Sequence, residues 1–233
     1  MQASSFSDFP SHGKIRYNMT NDYLFRLILQ QNENVLRGLL CSLLHLSPAD
    51  ISELLILNPI RLGDAVTDKE FRMDVRLLLN SSQTLNLEMQ VENLGNWVPR
   101  SLSYLCREYD SLDHGQDYTA ATSVHQIAFL DYTLFKKHPE FYATYRMRNV
   151  RDGYTYSSQF TLSVVELNHS SLATKEDCRY GIDLWARLFK AATWEELRML
   201  ITDQNAALSD AAKAILQSNE EYNVRKVLRE RHA

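Results

Sequence analysis

The chain has 233 residues, 45% of them hydrophobic and 23% charged, with 7 Gly and 5 Pro. That length and composition suit one sizeable globular domain, or one domain with a small extension, and exclude collagen-like or low-complexity chains. A formal net charge of −4 excludes a protein that coats nucleic acid through overall positive charge, so any nucleic-acid contact needs a local patch. No apolar run reaches the length of a membrane span. The first 18 residues lack the apolar centre of a signal peptide. Cys41, Cys106 and Cys178 are odd in number, widely spaced and outside any CxxC, which fits reduced thiols in a cytoplasmic protein. The seven histidines form no HExxH or similar pair, which argues against a zinc enzyme.

In chain order, residues 1–18 read as a flexible arm. Residues 20–30 open a helix, with Thr20 or Asn21 as N-cap. Residues 32–46 form a second helix whose apolar stripe is Val35, Leu36, Leu39, Leu40, Leu43 and Leu44. Pro48 restarts the chain near a cap. Residues 53–58 read as a strand stopped by Pro59, and 61–70 as a polar loop. Two runs then alternate with the period of half-buried strands, 71–79 and 84–91, around a polar turn at 80–83. Met73, Val75, Leu77 and Leu79 share one face of the first run, Arg72, Asp74 and Arg76 the other. In the second run Leu85, Leu87, Met89 and Val91 oppose Asn86, Glu88 and Gln90.

A turn at 93–96 precedes a long helix at 97–114, with Val98, Leu102, Leu105, Tyr109 and Leu112 assigned to its core face. Arg100, Tyr104 and Arg107 share another face. Residues 123–130, 143–150 and 160–167 read as strands, the last two joined by a turn at Asp152-Gly153. From 175 onward the pattern is helical, at 182–190, 194–201 and 206–218, and ends in a basic tail. The composite is a mixed α/β architecture, divided into an arm (1–18), a sheet-containing domain (19–170) and a C-terminal helical region (175–233).

Paired as a hairpin, the runs at 71–79 and 84–91 bring Asp74, Glu88 and Gln90 to one polar face. Two carboxylates in one place repel unless a proton or cation lies between them, and Mg²⁺ takes oxygen ligands of this kind. The same residues equally suit a solvated face or the polar side of an edge strand.

Four motifs in order carry a resemblance: NDYLFR at 21–26, DKEFRMDV at 68–75, LEMQV at 87–91 and RSLSY at 100–104, with the VVEL strand at 164–167 inside its range. Together they resemble the recombination-promoting nucleases and transposases of the PD-(D/E)xK superfamily, over roughly residues 18–168. The resemblance implies a restriction-endonuclease-like fold and a Mg²⁺-dependent DNA endonuclease, with Mn²⁺ as a substitute ion. It makes Asp74 and Glu88 metal ligands, with the Met89 backbone carbonyl completing the set and Asp22 as a third acid. Arg100 and Tyr104 match positions that border the site, and with Arg72 they are candidate phosphate contacts. Gln90 stands where most of the superfamily has Lys. It can hydrogen-bond a water but carries no charge, and Arg72, Arg76 or Arg100 are candidates to replace the missing positive charge. The implied partner is DNA; apart from the resemblance, the C-terminal helices are a candidate surface for a homo-oligomer.

Overall fold

The computed structural model describes residues 9–58, 60–61, 71–72, 74–110, 115–201 and 205–221. Residues 1–8, Met73, Leu112 and the basic tail lie outside the described residues. The chain forms two compact units, 49–172 and a second made of residues 1–48 and 173–233. Among the described residues no helix is long and apolar enough to cross a membrane. Cys41, Cys106 and Cys178 form no disulfide among the described residues.

The helical unit is built from α1 (Asp22–Gln31), α2 (Glu33–Leu44), α4 (Lys175–Tyr180), α5 (Ile182–Lys190), α6 (Trp194–Leu200) and α7 (Ala206–Glu220). Asparagine caps start three of them. The Asn21, Asn32 and Asn205 side chains each accept a backbone N–H from the first turn of the following helix, which satisfies donors that a helix start leaves open. The apolar stripe of α2 packs on α5 and α7. At Gly38 a Cβ would fall 2.2 Å from the Ala207 Cβ, so only glycine lets α2 and α7 approach this closely. Trp185 lies buried there, its indole N–H donating to Ser42 Oγ at 3.0 Å, and Phe25 meets Phe189 edge to face. Trp194 is buried as well.

The sequence reads residues 1–18 as an arm and 19–170 as one domain; the contacts group residues 1–48 with 173–233, where α1 and α2 pack on α5 and α7. Residues from 9 on take part in that packing. Phe9, Ile15 and Tyr17 are buried. The Ile15 N–H donates to the Ala192 carbonyl and the Tyr17 N–H to Asn219 Oδ1.

The other unit holds a six-stranded mixed sheet in the order β1-β4-β5-β6-β8-β7. Its strands are β1 (Leu54–Leu57), β4 (Val75–Leu79), β5 (Gln83–Gln90), β6 (Ser123–Leu130), β7 (Tyr142–Arg148) and β8 (Thr155–Glu166). A separate pair is formed by β2 (Ile60–Arg61) and β3 (Phe71–Arg72). The β5–β6 and β6–β8 pairs are parallel, the others antiparallel. The expected hairpin is present as β4 and β5. Its turn places Asn80 and Ser81 in the left-handed region and closes with Ser82 N–H on the Leu79 carbonyl, and asparagine tolerates that conformation well.

Three details differ from simple alternation. The run at 71–79 is two strands, because Asp74 forms a bend between β3 and β4. Nor is β5 a half-exposed or edge strand. It lies between β4 and β6, and residues 84–89 are buried on both faces. The third concerns α3 (Trp97–Tyr109), the crossover helix that joins parallel β5 and β6. Its buried residues are Trp97, Ser101, Tyr104, Leu105 and Glu108. Val98 and Leu102, assigned to the core, are exposed. The face toward the sheet is chosen by Trp97, which packs on Ala128, Leu130 and Val164, and by Glu108, which meets an arginine below it.

Candidate active site

Open α/β sheets gather ligands beyond the carboxyl ends of their parallel strands. Here Glu88 and Gln90 end β5, and α3 begins after a short loop. The Asp74 carboxylate accepts the Met89 N–H at 2.8 Å. That bond stands in for a ladder contact that β4 cannot make, since its pairing with β5 stops at Val75↔Leu87. The N–H and C=O of one residue point to the same side of a strand, so the Met89 carbonyl faces the Asp74 side.

The Glu88 side chain is 1% exposed. Its Oε1 accepts from Arg100 Nη2, with Gln90 Nε2 at 3.4 Å. Arg100 Nη1 lies 3.5 Å from Gln90 Oε1, and the guanidinium sits over the Tyr104 ring, 5.1 Å from its centroid. Glu88 Oε2 is buried and has no hydrogen-bond partner among the described residues. Burial, then the neighbouring Asp74 carboxylate, push the Glu88 carboxyl up to about 8, against the pull of Arg100 and the Asp74 backbone N–H. Burial and the Glu88 charge also raise the Tyr104 hydroxyl, which keeps it a donor.

An unpartnered buried oxygen is costly, and a proton or a cation relieves the cost. The donors at hand are two carboxylates and a backbone carbonyl, all hard oxygens. They fit a divalent ion of the Mg²⁺ or Mn²⁺ type. Residues 19–232 match the family described as PD-(D/E)XK nuclease family transposase.

The chain belongs to the PD-(D/E)XK nuclease family transposases. No curated protein and no solved structure matches it. The six-stranded mixed sheet flanked by helices is consistent with a PD-(D/E)XK fold. PD-(D/E)XK nucleases generally use divalent metal ions, and a nuclease of this family acts on DNA.

In this chain, Asp74, Glu88, Met89, Gln90, Arg100 and Tyr104 come together within the sheet unit. Arg76 does not share that role. Its Nε contacts Glu108 Oε1 and Oε2 at 3.0 and 2.9 Å, and Glu108 is buried. Arg72 lies in β3, and its side chain is outside the described residues. Asp22 belongs to the helical unit. There it stands in the first turn of α1, accepts the Tyr23 N–H and pairs with Arg26 at 3.1 Å, a favourable place for an acid.

Three buried polar groups on the Glu88 face of the sheet escape the sequence pattern. Asn86 and Gln126 are register partners on β5 and β6, fully buried, with neither amide nitrogen nor oxygen partnered among the described residues. Glu166 ends β8 in the same cross-strand row as Gln90 and Leu130. It accepts the Leu134 N–H, and burial raises its carboxyl. Its signal lies in the VVEL motif, where the acid reads only as part of a strand. Alternation puts Asn86 on the Glu88 face but leaves it looking solvated, and Gln126 gives no signal, because polar residues on a strand look solvated until the neighbouring strands are known.

Proposed function

We propose that this chain is a metal-dependent DNA endonuclease that hydrolyses phosphodiester bonds, with a link to recombination or mobile elements that rests on the family alone. The observation that carries the reading is the Glu88 carboxyl, buried beside Asp74 with Oε2 unpartnered among the described residues.

Asp74, Glu88 and the Met89 carbonyl would hold Mg²⁺, with Mn²⁺ as a substitute. When bound, such an ion polarises the scissile phosphate and lowers the pKa of a water. The chain's own residues do the rest. The Met89 N–H fixes the Asp74 carboxylate. Arg100 orients Glu88 and keeps a positive charge next to it, the charge that Lys supplies elsewhere in the superfamily. Gln90 orients a water or a phosphate oxygen through its amide and is no base. Tyr104 supports the Arg100 guanidinium and offers a hydroxyl donor to the phosphate. Arg72 is a further candidate phosphate contact. Asp22, as third acid, enters through the motif order alone. The odd, widely spaced cysteines fit a cytoplasmic protein. A second copy, paired through the C-terminal helices, would let two centres cut both strands.

Plasmid nicking with Mg²⁺ tests the reading. Wild type should cut, and Asp74→Ala and Glu88→Ala should each lose on the order of 100-fold or more. Equal cleavage by both variants and wild type contradicts it. A chain that binds DNA but never cuts would be a catalytically inactive DNA- or protein-binding module.

A further inference from the structure

The β7–β8 hairpin departs from the rest of the sheet. β8 pairs with β6 only from Phe160 onward, so residues 155–159 have β7 as their sole sheet neighbour among the described residues. A two-stranded ribbon therefore runs past the sheet, and both its faces meet solvent. Its tip is fixed: Asn149 N–H donates to the Tyr154 carbonyl, Gly153 N–H to the Asn149 carbonyl, and Tyr154 N–H to Asp152 Oδ1. Gly153 holds a φ of 74°, a turn conformation that glycine adopts without strain.

This ribbon carries large exposed side chains that soluble proteins rarely place together. Tyr154 is 76% exposed, Tyr156 81% and Val150 100%. Interleaved with them are Arg146, Arg148 and Arg151, all exposed and none in an ion pair among the described residues. Asp152 is the one acid between residues 142 and 160. The ribbon is thus locally positive in a chain whose net charge is negative. β7 is also an edge strand, and arginines along it resist pairing with a second positive ribbon.

We propose that this ribbon is a second nucleic-acid contact, an arm that binds unpaired DNA by stacking bases on Tyr154 and Tyr156 and holding phosphates with Arg148 and Arg151. Unpaired strands offer ring faces to aromatic side chains, whereas duplex bases spend theirs on each other. The arm leaves the sheet at the amino ends of its parallel strands, and the Asp74–Glu88 centre lies at their carboxyl ends. From Thr155 to Glu166 the strand spans about 35 Å. The arm is therefore an anchor for a strand outside the cleavage centre. The choice of DNA rests on the nuclease reading; the recognition chemistry rests on the ribbon itself.

The test is fluorescence anisotropy of the full chain in EDTA, with labelled oligothymidine and a duplex of equal length, over a series of salt concentrations. Tyr154→Ala/Tyr156→Ala should weaken oligothymidine binding by about 5-fold or more per ring, and duplex binding far less. Tyr154→Phe/Tyr156→Phe should keep the affinity, which separates stacking from folding. Arg148→Ala/Arg151→Ala should lower the salt slope by about 0.7 for each phosphate the arm no longer neutralises. Wild-type affinity in the tyrosine pair overturns the arm. So do equal losses on duplex and oligothymidine, no oligothymidine binding by wild type, or a changed molecular mass in the variants. If wild type binds but never cuts with Mg²⁺, the nuclease reading fails and the arm stands. If it cuts and the arm variants bind normally, the reverse holds.

Discussion

Two arginine–glutamate pairs tie α3 to the sheet, and they leave different atoms open. In the first, Arg76 of β4 reaches up to Glu108 of α3, and its Nε bridges both carboxylate oxygens. In the second the polarity is reversed. Arg100 of α3 reaches down to Glu88 of β5, where it meets Oε1 while Oε2 has no partner among the described residues. A closed pair satisfies its charges and can do nothing else. A half-closed pair beside a second carboxylate keeps one oxygen for a proton or a cation. Position alone does not separate the two, since all four side chains lie on the α3-facing side of one sheet. The difference is the company: Glu88 has Asp74 beside it.

Arg76→Met should break the closed pair and cost about 3–5 kcal/mol of stability, because it removes the cation that faces the buried Glu108 carboxylate. Arg100→Met should cost less than half of that, since Glu88 can take a proton instead. Urea unfolding measures both, and equal losses would erase the contrast between the pairs. Activity should run the other way. Arg100→Met should lower Mg²⁺-dependent nicking by about 100-fold, while folded Arg76→Met keeps most of it.

pH sharpens the same contrast. Glu88 has a raised pKa, so the folded, metal-free chain binds more protons than the unfolded one between the ordinary carboxylate value and about 8. Its contribution to stability is present at low pH and is lost as pH rises through that window. Metal binding needs the proton gone, so Mn²⁺ affinity should climb by up to about tenfold per pH unit below the Glu88 value of about 8. His125 on β6 has the opposite sign. It is buried, its Nε2 is 2.7 Å from Ser163 Oγ, and burial lowers its pKa to about 4. Its unfolded form binds more protons between 6.5 and about 4, so stability falls as pH drops through that window, by up to about 3 kcal/mol. His125→Phe should flatten that acid limb in a melting series. The smallest effect is expected at Gln90. Gln90→Lys should keep or modestly raise cleavage, since a lysine ammonium can also donate to the water or phosphate oxygen that the amide orients; complete loss would contradict that.

Much of the fold is legible in the sequence because alternation and caps are local. β6 and α5 occupy 123–130 and 182–190 as the pattern requires. Asn21 caps α1 through its side chain. What is not legible depends on neighbours distant in sequence. Alternation cannot tell that β5 is central, so Asn86 and Glu88 look solvated while being buried. Val98 and Leu102 look like core, but α3 is turned by Trp97 and Glu108, whose partners lie on β6 and β4. Among the three candidate cations the sequence cannot choose. Glu108, 32 residues from Arg76, takes that arginine, and Arg100 stands against Glu88.

Whether the Asp74–Glu88 centre holds a cation is tested most directly by calorimetric titration with Mn²⁺ at a pH above the Glu88 pKa. Wild type should bind, and Asp74→Asn and Glu88→Gln should each lose that binding, while the distant Gly153→Ala keeps it. Unchanged Mn²⁺ binding in both carboxylate variants would contradict a cation site at this centre.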